Sequence, residues 1–184
     1  MTHEEAVGLI GGTDHGAPAT WADLGCGDGT FTLALATLLP AGSVIHAIDR
    51  DRSLLRRIPP GHAGTSIVTH AGDFTAMPWP FGPVDGVMLA NALHYVRDAA
   101  AFIRTCEPGM TDPRRFLIVE YDTDRPNRWV PYPIGRAALR RMFTDAGYGP
   151  FRALRSRPSI YQRAPLYAAA IEQTLDDNKP RRPR

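Results

Sequence analysis

Residues 21–31 of the chain are WADLGCGDGTF, a glycine-rich stretch in which Gly25, Gly27 and Gly29 occupy every second position behind Asp23. Apolar residues before the glycines predict a strand, and the apolar spacing after them predicts a helix. Glycines at this density allow a tight turn whose bare backbone approaches another group closely. A glycine-rich turn between the first strand and first helix of a parallel sheet is typical of a nucleotide-cofactor site.

Short apolar runs alternate with segments of helical periodicity along the rest of the chain. This alternation predicts an α/β fold in which helices cover both faces of a mostly parallel sheet. After the fourth predicted strand, the apolar residues Leu93, Val96, Ala100 and Ile103 predict a helix on one face. Residues 151–173 predict two strands joined by a short Pro-containing connection, as a hairpin at one sheet edge.

The domain organisation that we expect is simple. A single domain spans residues 1–175, and a flexible basic tail covers residues 176–184. About 20 residues precede the first strand, which leaves little room for a lid over an active site.

Composition bounds the class of protein. The chain has 184 residues, of which 43% are hydrophobic and 22% charged, as is ordinary for a soluble domain. The beginning, MTHEEAVGLIGG, lacks the basic flank and apolar run of a signal peptide, and no apolar run approaches the roughly 20 residues that span a bilayer. Cys26 and Cys106 match no metal or redox spacing, and the histidines form no metal-ligand pattern. We therefore expect a cytoplasmic protein without a metal or a membrane contact.

Charge is distributed unevenly along the chain. Residues 1–113 hold 6 arginines and 12 acidic residues, whereas residues 114–163 hold 11 arginines and 4 acidic residues. Solvated helix faces in an arginine-biased protein would produce this asymmetry, and so would a surface that faces an anionic substrate or a nucleic acid. The sequence leaves both interpretations open.

The glycine turn favours a cationic cofactor over a dinucleotide. Dinucleotide sites use G-x-G-x-x-G with a pyrophosphate at the helix N-terminus, and here Thr30 stands where the third glycine would be. Asp23 and Asp28 would repel a pyrophosphate, whereas a carboxylate is favourable beside an ammonium or sulfonium group.

On these residues the chain resembles the class I S-adenosylmethionine (SAM)-dependent methyltransferases, and the resemblance covers roughly residues 20–172. It implies a Rossmann-like seven-stranded sheet in the order 3-2-1-4-5-7-6, with the last strand antiparallel. It also implies that SAM is bound and S-adenosylhomocysteine released. The D-x-G-x-G-x-G turn would wrap the methionine part of SAM, through Asp23, Gly25, Cys26, Gly27 and Gly29.

The resemblance assigns the rest of the cofactor to residues at successive strand ends. An acid after the second strand, Asp49 with Arg50 beside it, would hold the ribose hydroxyls. Asp73 after the third strand would accept from the adenine amino group, and Phe74 would supply a backbone amide and an apolar wall. Asn91, after the fourth strand, would lie beneath the cofactor, although the same residue could cap the following helix.

His94 is the candidate base for the methyl acceptor. It follows the fourth strand by three residues, at the expected rim of the pocket, and imidazole titrates near neutrality. The alternative is a histidine in the first turn of a helix, hydrogen-bonded to backbone.

The loop EYDTDRPNRWVPYPI, residues 120–134, is long for a strand–helix connection and follows the fifth strand, where substrate contacts are expected. We predict that Tyr121, Arg128, Trp129 and Tyr132 contact the acceptor and that Arg128 pairs with an acidic group on it. The alternative is a loop held to the core by Trp129.

These observations favour methyl transfer to a small-molecule acceptor, which carries a negative charge if Arg128 pairs with it. The alternatives are an RNA methyltransferase, a non-catalytic SAM-binding partner subunit and a nicotinamide oxidoreductase. The residues after the fourth strand, NALH, lack the Asn/Asp-Pro-Pro-aromatic tetrad that adenine amino methylation commonly uses. The sequence leaves the oligomeric state open.

Overall fold

The computed structural model describes residues 1–13, 15–159 and 164–173. Within them, one sheet holds eight strands in the order β3-β4-β2-β1-β5-β6-β8-β7. The strands are β1 (Thr20–Leu24), β2 (Val44–Asp49), β3 (Gly61–His62), β4 (Thr65–Ala71), β5 (Val84–Ala90), β6 (Met110–Tyr121), β7 (Tyr148–Arg157) and β8 (Leu166–Gln173). The predicted tail, residues 176–184, and the hairpin connection at 160–163 lie outside the described residues.

The predicted strand order is confirmed once the two-residue β3 is set aside. Strands β4, β2, β1, β5 and β6 are parallel neighbours, and the last strand, β8, lies antiparallel between β6 and β7. The additional strand β3 folds back on β4 through Ala63 and Gly64, whose φ angles are 49° and 82°. A two-residue hairpin of this kind needs positive φ at both positions, and alanine does not signal it in a sequence.

Five helices accompany the sheet in the described part of the chain. They are α1 (His3–Ile10), α2 (Thr30–Leu38), α3 (Arg52–Leu55), α4 (Ala99–Cys106) and α5 (Arg136–Asp145). Because successive strand residues point to opposite faces, the sheet carries two apolar cores: Ala22 and Leu24 face one, and Trp21 faces the other. No helix among the described residues is long and apolar enough to cross a membrane.

The segment after β5 differs from the prediction. Residues Leu93–Tyr95 form a single 3₁₀ turn, and α4 begins only at Ala99. Asp98 caps α4 by accepting a hydrogen bond from the Ala101 amide at 2.8 Å. Asn91 therefore does not cap a helix; its φ of 55° places it in a left-handed turn at the end of the strand.

Candidate cofactor and acceptor site

The glycine turn after β1 is held against the end of β2. The amides of Gly25 and Cys26 both donate to the Ile48 carbonyl, at 2.9 and 3.1 Å. Gly25 has a φ of +76°, and a Cβ at this position would lie 2.8 Å from the Ala92 Cβ. Only glycine satisfies both the backbone angle and the close approach of the turn to the segment after β5.

Asp49 connects this turn to the segment that follows β2. Its Oδ2 accepts from the Gly27 amide at 2.9 Å, and its Oδ1 accepts from the Asp51 amide at 2.8 Å. Each carboxylate oxygen keeps a further lone pair for a ligand. The positive φ of Gly27, 56°, directs its amide to Asp49, and nothing lies within 4 Å of where its Cβ would be.

Asp23 is a fully buried carboxyl group with one oxygen unpartnered. Its Oδ2 accepts from the Thr32 hydroxyl at 2.6 Å, whereas Oδ1 has no hydrogen-bond partner. Burial, with a smaller contribution from the charge of Asp49, raises the pKa of Asp23 to about 7 even though the Thr32 hydrogen bond lowers it. A cation beside Oδ1 would favour the ionised form.

Asn91 contributes a second unpartnered oxygen. Its backbone amide donates to the Val119 carbonyl at 2.8 Å, which fixes the left-handed turn, and its Oδ1 is buried without a partner. Asp23 and Asn91 line the same cavity. The site therefore offers two buried acceptors to a ligand that carries donors.

The cavity has a volume of about 520 Å³ and extends beyond the glycine turn. On the turn side it is lined by Gly25, Cys26, Gly27, Asp28 and Asp49. On the far side its walls come from five other segments and include Tyr95, Tyr121, Arg157, Leu166 and Glu5. Of the predicted acceptor contacts, Tyr121 lies here.

Helix α1 forms part of this wall, so the expectation that the chain has little room for a cover is wrong. Glu5 of α1 pairs with Arg157 of β7, and two nitrogen–oxygen distances are 2.8 Å. The hydrogen bond from Arg157 lowers the pKa of Glu5 to about 2. The sequence gives no sign of this pair, since 152 positions separate its members.

His94 lies inside the protein rather than at the rim of the pocket. Its side chain is 2% exposed, its Nδ1 lies 2.6 Å from Glu120 Oε2, and its amide donates to Glu120 Oε1 at 3.1 Å. Each member of the pair precedes a tyrosine of the cavity wall, Tyr95 or Tyr121. Tyr95 is 52% exposed and lines the cavity.

The predicted adenine contacts lie beside the cavity. Asp73 Oδ1 accepts from the amide and hydroxyl of Thr75 at 2.9 and 2.7 Å, and these bonds lower the pKa of Asp73. Arg50 approaches the other oxygen of Asp73 at 4.0 Å. Phe74 is buried, with its ring against the glycine turn at Gly25.

The loop after β6 is not held to the core by Trp129, as the alternative interpretation expects. Trp129 is 68% exposed, with the Arg128 guanidinium 5.6 Å above its ring, so Trp129 does not hold the loop to the core. Val130 is the buried residue, and the Tyr132 amide donates to the His94 carbonyl at 3.0 Å. Arg128, Trp129 and Tyr132 are not among the described residues that line the cavity. Their contact with an acceptor stays a prediction.

Four of the histidines scattered in the sequence form two pairs: His3 and His62 meet edge-on and share the Thr37 hydroxyl, and His46 and His70 are in direct contact. His46 Nδ1 lies 3.0 Å from His70 Nε2, and the ring of Phe81 stacks on His46. Across the described ranges, no group of three or more His, Cys, Asp or Glu is placed to hold a metal ion.

Comparison with known proteins agrees with this geometry. Residues 22–109 match a family model described as a methyltransferase domain. The magnesium protoporphyrin IX methyltransferase of Synechocystis PCC 6803, solved with SAM, is 16% identical; the match covers 86% of this chain and 71% of that chain, with a TM-score of 0.59.

Two further structures are similar. The YcgJ protein of Bacillus subtilis is 12% identical over 94% of this chain and 100% of that chain, with a TM-score of 0.69. The 1,6-didemethyltoxoflavin-N1-methyltransferase of Burkholderia thailandensis, solved with 1,6-didemethyltoxoflavin and S-adenosylhomocysteine, is 17% identical over 94% of this chain and 78% of that chain, with a TM-score of 0.67. No curated protein gives a significant match. The domain match over residues 22–109, the strand order and the acidic glycine turn together show that the chain contains a methyltransferase domain with the class I, Rossmann-like fold.

Proposed function

We propose that the protein transfers the methyl group of SAM to a small molecule held between Tyr95 and Tyr121. The observation that carries this proposal is a single cavity that includes both the glycine turn and these two tyrosines. A volume of about 520 Å³ suits a cofactor and a compact acceptor better than a polymer.

The residues present fit SAM. The buried oxygens of Asp23 and Asn91 need donors, which the ammonium group of the methionine part would supply. Asp49 has lone pairs for the ribose hydroxyls, with Arg50 beside it, and Asp73 and Phe74 would meet the adenine. When bound, SAM would supply a methyl group on a positively charged sulfur, and transfer of that methyl group in line to the acceptor would release S-adenosylhomocysteine.

The protein's own part is binding and orientation. Holding two reactants in the productive geometry can lower a barrier by about 7–11 kcal/mol, so methyl transfer to a good nucleophile needs no further group. Tyr95 and Tyr121 would stack against the acceptor and fix its angle to the glycine turn. We assign His94 to positioning: its ring is buried on Glu120, and the two residues hold the backbone on which both tyrosines stand.

Two observations favour a small acceptor over RNA. Helix α1 contributes Glu5 to the cavity wall, where it pairs with Arg157. Several arginines of the arginine-rich segment 114–163 are already paired with acidic residues, among them Arg114 with Glu107 and Arg136 with Asp122. The Synechocystis and Burkholderia structures are named for planar ring compounds, which agrees with an acceptor that lies between two tyrosines.

The test begins with calorimetric titration of SAM and of NAD into the purified protein. The proposal expects SAM to bind, NAD to give no signal, and a panel of aromatic hydroxyl, amine and carboxylate compounds to include one that releases S-adenosylhomocysteine. Tyr95→Ala should then raise the KM of that acceptor and leave the Kd of SAM unchanged, while Tyr95→Phe, which keeps the ring, should retain the parent KM. Methylation of bulk RNA but of no small compound would overturn the proposal. SAM binding without turnover on any acceptor would favour the partner-subunit alternative.

A further inference from the structure

A second cavity, of about 430 Å³, lies toward the opposite ends of the parallel strands. It borders Trp21, the second residue of β1, whereas the cofactor turn follows the last residue of that strand. Its other walls come from β6, β7, β8 and the segment before β1. The methyl-transfer mechanism uses none of these residues.

Two of its wall residues carry buried donors without partners. Trp21 is 3% exposed, and its indole Nε1 has no hydrogen-bond partner. The Nε of Arg115 is likewise buried and unpartnered. Trp21 cannot easily turn away, because its ring lies flat against Gly86, where a Cβ would come within 2.6 Å of the indole.

The cavity also carries an excess of positive charge. Arg115 and Arg152 both line it, and within the described ranges neither guanidinium has a carboxylate within 4 Å. Glu172 is the one acid among the lining residues and stands directly opposite Arg115 in the β6–β8 register. Two arginines and one glutamate leave a net charge of +1.

The remaining walls are apolar. They include Leu117, Pro150 and Ala170, whereas the rings of the bordering Phe116 and Phe151 pack elsewhere, against Phe143 and Tyr148 and under the Arg140 guanidinium. The other polar neighbours, Thr13 and His15, already bond to each other at 2.6 Å, and the His15 ring meets Trp21 edge-on at 5.7 Å. The cavity thus combines N–H donors, one surplus positive charge and apolar surface.

We infer that this cavity is a second ligand site, for a small apolar monocarboxylate. A carboxylate matches the guanidinium of Arg115 and accepts from N–H donors, and an apolar body fits against Leu117, Pro150 and Ala170. A phosphate or another dianion would meet Glu172 and apolar walls, and a cation would face two arginines. A single carboxylate on an apolar body is the chemistry that offsets the net charge and covers the apolar surface.

The experiment uses benzoate as the probe and the full chain saturated with S-adenosylhomocysteine, so that the cofactor cavity is occupied. In ¹⁵N spectra, benzoate should shift the indole N–H of Trp21 in a saturable way. The indole of Trp79 already donates to the Phe74 carbonyl at 3.2 Å and should not move. Benzamide, which has the same ring without the charge, should bind at least about tenfold more weakly.

Two variants complete the test. Arg115→Gln should weaken benzoate binding about tenfold or more, since it removes a charged hydrogen-bond donor. Arg141→Gln, an exposed arginine of α5 away from this cavity, is the matched control and should leave binding unchanged. The Kd of S-adenosylhomocysteine should stay the same in both variants, which confirms that they are folded. Equal binding of benzoate and benzamide, equal binding by Arg115→Gln, or no saturable shift of Trp21 would overturn the inference.

Discussion

Replacing Asp23 with asparagine should make the ligand-free protein more stable at pH 8 and at the same time weaken SAM binding. The carboxyl is fully buried, keeps one hydrogen bond to Thr32, and has a pKa of about 7 against 3.8 in its ordinary state. A raised pKa means that the folded protein holds this proton more tightly than the unfolded chain. The contribution of Asp23 to the free energy of unfolding is therefore fully present below about pH 4 and is lost as the pH rises through 7.

The size of the effect follows from the pKa difference. About three pKa units correspond to roughly 4 kcal/mol of cost for ionised Asp23 at pH 8. Asparagine avoids that cost but leaves an amide N–H near the unpartnered Oδ1 position, which costs about 1–3 kcal/mol. The net gain is roughly 1–3 kcal/mol, or about 2–12 °C in Tm for a chain of this size.

The assay is thermal unfolding of parent and variant between pH 4 and pH 8, together with calorimetry of SAM at pH 8. Asp145→Asn, an exposed aspartate of α5 that does not line the cavity, is the matched control and should give a curve parallel to that of the parent. Loss of the charge beside an ammonium group should weaken SAM binding by about tenfold or more. The reasoning fails if Asp23→Asn is no more stable than the parent at pH 8, or if its advantage does not shrink toward pH 4.

Three other predictions concern separate parts of the fold. Gly25→Ala should lower the free energy of unfolding, measured in urea, by roughly 2–4 kcal/mol, because the residue has a positive φ and its new Cβ would meet Ala92. Gly27→Ala should lower it less, because nothing lies near the position of its Cβ. Equal losses in the two variants would contradict this. His94→Gln should raise the KM of the acceptor or lower kcat while the Kd of SAM, measured by calorimetry, stays constant; a change confined to SAM binding would rule out positioning. Burial, and for His46 also the charge of His70, lowers the pKa of both histidines, so protonation opposes folding. The free energy of unfolding that depends on these two histidines should be fully present above about pH 6.5 and should fall as the pH drops below it. His70→Gln should make this fall with pH less steep in unfolding curves.

The sequence could predict the parts of the site that depend on local geometry. Asp23, Gly25 and Asp49 lie at the ends of strands, and parallel strands bring their carboxyl ends to one edge, so strand order alone brings these residues together. The Glu5–Arg157 pair could not be predicted, because it depends on where α1 packs against β7. The sequence predicts His94 at the rim because its apolar spacing indicates a helix directly after the strand. The helix instead begins after its cap Asp98, and the intervening turn directs the imidazole inward to Glu120. Tyr95, next in the chain, then faces the cavity.

The unpartnered buried groups separate the two cavities by chemistry. Among the described residues, the buried side-chain oxygens without a hydrogen bond are those of Asp23 and Asn91, and both border the cofactor cavity. The other unpartnered buried atoms are nitrogen donors, and those of Trp21 and Arg115 border the second cavity. Each such group costs roughly 1–3 kcal/mol while it lacks a partner. A ligand that is rich in donors recovers this cost at the first cavity, and a carboxylate recovers it at the second. The two cavities should therefore bind ligands of opposite charge, SAM and an apolar carboxylate, without competition between them.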